Sequence, residues 1–177
     1  MGVIKIKDYE VSPTDSYVFD TNVWIFIFGP IAGSNLKQQM QYAQLFQDIQ
    51  SRGATIFITS LIISEFINAV LRINFANWKI QEDNVNADFK HDYRPTAHYK
   101  DALAEIKENV KIILNHTQKR NDDFREMSFI SLHRFLDNNC DYNDAYLLKY
   151  CIENKLHIVS DDKDITQQDV AIKVITA

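Results

Sequence analysis

The chain has 177 residues, 46% of them hydrophobic and 24% charged, with a formal net charge of −5. That length suits one domain with a substantial core, and a content of only 4 Gly and 3 Pro excludes collagen-like and low-complexity classes. The acidic balance weighs against a module that holds nucleic acid by neutralising phosphates alone. It does not weigh against an enzyme whose acids hold cations, because bound ions reverse the local charge.

Cys140 and Cys151 are too few for a disulfide framework, and neither has a partner at zinc-ligand spacing. Cys151 falls in an apolar helical pattern and reads as a small core residue. The histidines are scattered, with no ligand pair among them. The longest apolar runs, 23–28 and 61–63, are far too short to span a bilayer, and the N-terminus carries no apolar signal core. The expectation is a cytoplasmic protein with no membrane partner.

In chain order, a polar lead-in covers residues 1–16, with a small strand at 3–6, and the first clear strand is 17–19. The apolar run 23–28 is expected to form a short helix beneath the strand end. Gly29-Pro30 and Gly33-Ser34-Asn35 mark a loop, and Ser34 is a candidate N-cap for a helix over 36–50 that stops at Gly53. Residues 55–58 form the second strand, and Thr59 or Ser60 caps a helix to about residue 78. Residues 81–94 read as a polar loop, 96–117 as a helix, Asn121-Asp122-Asp123 as a break, and 124–136 as a further helix. The stretch 81–137 is thus expected to be a helical insertion within a single domain over 1–177. A helix over 141–153, a strand at 157–159 and a last strand at 172–175 close the chain. Alternating strands and helices predict an α/β fold, three layers α/β/α around a mainly parallel sheet.

Four acids stand at strand ends or helix starts. Asp20 follows the first strand, Glu65 sits in the first turns of the helix after the second, Asp144 begins the helix at 141, and Asp162 follows the strand at 157. In an open parallel sheet these positions share one edge, where ligands bind. Each has a plainer role too. Asp20 can cap a helix, Glu65 can share a solvated stripe with Ser64, Asn68 and Arg72, Asp141 and Asp144 can answer a helix dipole, and Asp161 to Asp164 can be a solvated turn. Gathered together, the acids repel: two unit charges about 5 Å apart cost roughly 3 kcal/mol at an effective dielectric of about 20. Only Lys163 is basic within these motifs. A hard divalent ion, Mg²⁺ or Mn²⁺, is the natural compensation for oxygen-only ligands, and its chemistry points to phosphodiester hydrolysis.

At these residues the chain resembles the PIN-domain nucleases, and among them the VapC-type toxins of toxin–antitoxin pairs. Asp20-Thr21-Asn22 is similar to the family's opening acid, Ser64-Glu65-Phe66 to its second motif, and Asp144-Ala145 followed by Tyr146-Leu147-Leu148 to its third. Ile158-Val159-Ser160-Asp161-Asp162-Lys163-Asp164-Ile165 resembles the last motif, with Ser for Thr and Ile for Phe. The polar lead-in and the long middle depart from the compact toxins. The resemblance implies a metal-dependent endoribonuclease, with RNA as substrate and a 5′-phosphate product. It implies Asp20, Glu65 and Asp144 as ligands of Mg²⁺ or Mn²⁺, Asp162 completing the site, and Thr21, Asn22, Ser160 and Asp164 in support. It also implies an antitoxin protein or a second copy of the chain as partner. Lys100, Lys107 and Lys111 share a helix face that either meets RNA or is simply solvated. Phe66, Phe75 and Trp78 form either a partner surface or core. The rival reading is a PIN-like binding module without nuclease activity, regulated by a protein partner. A phosphatase of the haloacid-dehalogenase type is disfavoured, because Asp20 lacks a second acid two residues on and no Gly-rich phosphate loop is present.

Overall fold

Strands β1 (Val3–Lys5), β2 (Ser16–Phe19), β3 (Thr55–Ile58), β4 (Gln118–Lys119), β5 (His157–Val159) and β6 (Val174–Thr176) form one sheet in the order β1-β6-β5-β2-β3-β4. This architecture comes from a computed structural model that describes residues 2–30, 35–138 and 140–177. Every pairing is parallel, and Val18 at the centre faces Phe57 on one side and Ile158 on the other. Parallel strands are covered on both faces, so they read as continuous apolar runs rather than alternating ones. Tyr17, Val18, Phe19, Ile158, Val159 and Ile175 are accordingly buried. The edge strands are short and carry Lys5 and Lys119, which discourages pairing with another chain.

The chain leaves β2 through β3 to β4 on one side, then returns to β5 on the other side of β2. The seam between β2 and β5 is therefore a topological switch point, where a crevice opens at the carboxyl ends of the strands. The helices at that end are α1 (Thr21–Phe28), α3 (Ser60–Gln81), α6 (Tyr142–Glu153) and α7 (Lys163–Thr166); α2 (Leu36–Ser51), α4 (Ala97–Asn115) and α5 (His133–Leu136) complete the set. None of the helices among the described residues is long and apolar enough to cross a membrane.

Local chemistry sets the boundaries. The Asp20 side chain caps α1. Gly29 ends it, where the backbone folds so closely that a Cβ would lie 2.6 Å from the Ile25 carbonyl oxygen. Gly53, at φ 72°, is the left-handed stop after α2. The expected Ser34 cap lies outside the described residues. On α3, Phe66 and Trp78 are buried, and the Phe75 ring lies 6.2 Å from Trp78 and 5.3 Å from both Phe89 and Tyr93. These aromatics are core, not a free partner surface. Cys151 is fully buried in α6, as its pattern implies.

Two expectations need correction, and one strand was not expected. The polar stretch 81–94 contains a π-helical turn, Phe89–Tyr93, capped by Asp88. Its two aromatics anchor on Phe75, which the polar composition concealed. Residues 124–136 do not form one helix: a turn, a 3₁₀ turn at Phe129–Leu132 and the four-residue α5 stand there. Asp123 enters this segment at φ 55°, and the Ser131 hydroxyl donates to the Ser128 carbonyl, offering the backbone an alternative to helical bonds. Between α4 and this segment lies β4, whose two polar residues give no strand signal. It is held by pairing with β3 and by the Arg120 N–H donating to the Ile58 carbonyl at 2.9 Å.

Candidate active site

Asp20, Glu65, Asp144 and Asp162 all line one cleft at the carboxyl edge of the sheet, a cavity of about 210 Å³ shared with Thr21, Asn22, Ile25, Ala69 and Asp141. Asp20 is placed by β2, since its N–H donates to the Val159 carbonyl of β5 at 2.9 Å. Its Oδ1 accepts from the Thr21 N–H at 2.6 Å, and its Oδ2 accepts from Asn22 Nδ2 and Ser160 Oγ, each at 2.7 Å. Ser160 itself is fully buried and accepts from the Asp162 N–H at 3.0 Å, which ties the start of the last acidic turn to Asp20. Thr21 and Asn22 also reach across the cleft floor: Thr21 Oγ1 donates to Glu65 Oε2 at 2.8 Å, and Asn22 Oδ1 accepts from the Asp161 N–H at 3.3 Å.

Asn143 was not expected at the site, and Asp141 was expected only as a helix-start acid. Asn143 Nδ2 donates to Glu65 Oε1 at 3.0 Å, so both Glu65 oxygens are held by neutral donors. Asp141 caps α6 by accepting from the Asp144 N–H at 3.0 Å, and it lines the cleft as well. The signal available for both was a run of polar residues packed into the first turn of one helix. Asp161 instead turns to Gln38 and Tyr42, its oxygens accepting at 2.9–3.0 Å.

The acids are not evenly spread. Among the described residues, the group of carboxylates with oxygens mutually within 4.8 Å is Asp144, Asp162 and Asp164. Asp20 and Glu65 are not in that group; Thr21, Asn22 and Ser160 hold Asp20, and Thr21 and Asn143 hold Glu65. The trio expected around a first ion, Asp20, Glu65 and Asp144, is therefore not the tightest one.

Burial and mutual repulsion raise the acids' proton affinity. Desolvation, then the charges of Glu65 and Asp162, push Asp20 up to about 7 against the bonds from Ser160 and Thr21. Desolvation, then Asp20, Asp141, Asp162 and Glu65, push Asp144 up to about 8. No Lys, Arg or His lines the cleft among the described residues. An all-oxygen donor set with uncompensated charge fits a hard divalent cation rather than zinc. An unfolded chain titrates these carboxyls near the ordinary range of about 4. From about pH 4 to 8 the native state holds more protons, so stability falls as pH rises. With chelator present, thermal melts should show the melting temperature dropping between pH 5 and pH 8, and dropping less in Asp144→Asn.

The PIN domain family matches residues 17–172. This chain belongs to the PIN domain family. The match starts within β2 and runs past α7, so it spans all five acids that line the cleft. A crystal structure of VapBC2 from Rickettsia felis bound to a DNA fragment from their promoter aligns with a TM-score of 0.53 at 11% identity, over 92% of this chain and 98% of that one. PAE2754 from Pyrobaculum aerophilum aligns with a TM-score of 0.50 at 12% identity, over 92% of this chain and 84% of that one. At such identities the likeness is one of fold. No curated protein matches the sequence. The parallel sheet explains why the acids converge: Asp20 and Asp162 follow β2 and β5, and Glu65 and Asp144 stand in the first turns of α3 and α6, all at one edge.

Proposed function

We propose that this PIN protein is a metal-dependent endoribonuclease. The observation that carries the proposal is the convergence of Asp20, Glu65, Asp144 and Asp162 on one cleft that no basic side chain lines among the described residues. These four acids would hold Mg²⁺ or Mn²⁺, with Asp164 beside Asp144 and Asp162 within reach of the same charge. A divalent ion there would supply Lewis-acid charge for the phosphodiester and would make water a stronger nucleophile.

The protein's own contribution is preorganisation. Ser160, Asn22 and the Thr21 N–H fix Asp20, while Thr21 Oγ1 and Asn143 fix Glu65. The donors are neutral, so they orient the carboxylates without cancelling their charge. Burial and the neighbouring acids favour the protonated form of Asp144 in the ion-free cleft, and a bound cation would favour its carboxylate. The test is incubation of structured RNAs with Mn²⁺ and with EDTA. Fragments bearing 5′-phosphates are expected with the metal and none with the chelator; equal cleavage in EDTA contradicts the proposal.

The proposal extends to a protein partner. The Rickettsia felis neighbour is a VapBC2 assembly bound to promoter DNA, which supports a toxin role here with an antitoxin as regulator. A gene for a small protein beside this one, whose product copurifies with it, supports that extension.

A further inference from the structure

The lysine face of α4 borders a groove. Its floor is aliphatic, with Ile63 and Ile67 from α3 and Leu103, Val110 and Leu114 from α4. All five are half-buried, so part of each is left to water. The groove consists of two hollows of about 490 and 480 Å³ that share Ile67, and the first reaches the ends of β3 and β4. From Leu103 to Leu114 the floor follows α4 for about 16 Å, at about 1.5 Å per residue. The rim is cationic. Lys100, Lys107 and Lys111 line one hollow, and Lys119 and Arg120 the other. Among the described residues the acid lining either hollow is Glu108, which Lys111 meets at 2.6 Å. Lys100, Lys107, Lys119 and Arg120 make no ion pair among the described residues. Arg120 is held ready, 4.9 Å over the Phe57 ring and donating to Asn154 Oδ1 at 2.6 Å. In a chain of net charge −5, this rim is a local reversal of sign. It is also separate from the cleft: on α3, Glu65 and Ala69 line the cleft, while Ile63, Ser64 and Ile67 line the groove.

A contiguous apolar floor with a charged rim marks a surface that another molecule covers, whereas scattered single apolar residues do not. The chemistry of the two parts selects the occupant. No aromatic ring lines the groove among the described residues, so a base has nothing to stack on, and phosphates contacting the rim would leave the floor wet. An amphipathic helix of about three turns matches both parts. Its apolar stripe covers the aliphatic floor, and carboxylates beside the stripe meet cations that lack an acidic partner. We infer that the groove between α3 and α4 docks an acidic amphipathic helix of a partner protein, with Lys100 and Lys107 meeting its carboxylates along α4 and Lys119 and Arg120 meeting them at the β4 end. This rests on the proposed protein partner and not on nuclease activity, since none of the cleft acids lines the groove. A helix seated there touches α3 on a different flank from the one bearing Glu65 and has no need to enter the cleft.

The probe is a fluorescein-labelled helical peptide about four turns long, with leucines at i, i+3, i+4 and i+7 and glutamates flanking them. A second peptide carries lysines in place of the glutamates, and a third has the same composition with the leucine stripe scrambled. Each is titrated against the full chain by anisotropy in EDTA. The glutamate peptide is expected to bind, and the other two to bind at least about tenfold more weakly. The double variant Lys100→Glu, Lys107→Glu changes two exposed side chains. It should bind the glutamate peptide about tenfold more weakly and the lysine peptide about tenfold more tightly than the wild type does, with the melting temperature unchanged. A merely solvated lysine face moves neither affinity. A glutamate peptide that fails to bind, or binds no better than the lysine or scrambled peptide, overturns the inference. So does loss of single-stranded RNA binding in the double variant, which assigns the face to RNA. A wild-type dimer that the double variant turns into a monomer also overturns it, by making a second copy the occupant. Failure of the wild-type protein to cut RNA is a separate result: it removes the nuclease reading while the peptide titrations still report on the groove.

Discussion

Asp20→Asn is expected to remove RNA cleavage and leave the fold intact. The replacement is nearly isosteric, and its carbonyl oxygen still accepts from the Thr21 N–H that Asp20 engages at 2.6 Å. The new amide replaces an oxygen that accepts from both Ser160 Oγ and Asn22 Nδ2 at 2.7 Å, so both of those groups must reorient around it. What disappears is the charge. Removing a single group that stabilises developing charge costs roughly 10²–10³ in kcat, and Asp20 also holds the cation, so the loss should reach at least that range. The buried acid is held at about 7 by desolvation in the ion-free cleft. Its neutral replacement therefore adds no buried charge, and without metal the variant should melt as a folded protein. Cleavage assays in Mn²⁺ beside thermal melts in EDTA check both halves. Undiminished metal-dependent cleavage by a folded variant rejects the assignment.

Millimolar Mn²⁺ is expected to raise the melting temperature of the wild type by several degrees. At a free concentration of about 100 times Kd, binding to the native state alone stabilises by roughly 2.7 kcal/mol. For a chain of this size each kcal/mol moves the midpoint by about 2–4 °C, which gives a shift of about 5–10 °C. Protons compete for the same oxygens, with Asp20 at about 7 and Asp144 at about 8. The shift should therefore be larger at pH 8 than at pH 6. Differential scanning fluorimetry at the two pH values checks this. Equal shifts at both would mean that the ion binds without displacing protons from the cleft.

Much of this arrangement was legible from residue patterns. Tyr17, Val18 and Phe19 ahead of Asp20, and Ile158 and Val159 ahead of Ser160, announce buried parallel strands, since such strands must be apolar on both faces. The acids after them fall at the carboxyl edge by the geometry of the fold alone. What stayed hidden has physical causes. β4 is two polar residues whose strand character comes wholly from pairing with β3. The expected helix over 124–136 failed because a periodic apolar pattern says nothing of whether a core is there to receive it; Phe124, Phe129 and Ile130 remain exposed while Leu132 and Phe135 are buried. Within the cleft, residue types named the acids but not their spacing. The closeness of Asp144 to Asp162 and Asp164 depends on how α6 meets the turn after β5. The Asn143 bond to Glu65 spans 78 positions, and no local signal encodes it.

The central claim is that acids on facing walls of one cleft share a cation. Calorimetric titration of Mn²⁺ into Glu65→Gln, from the α3 wall, and Asp144→Asn, from the α6 wall, tests it most directly. Both variants should lose most of the heat and affinity of the wild type while melting as folded proteins in EDTA. If either one titrates like the wild type, the two walls do not serve the same ion.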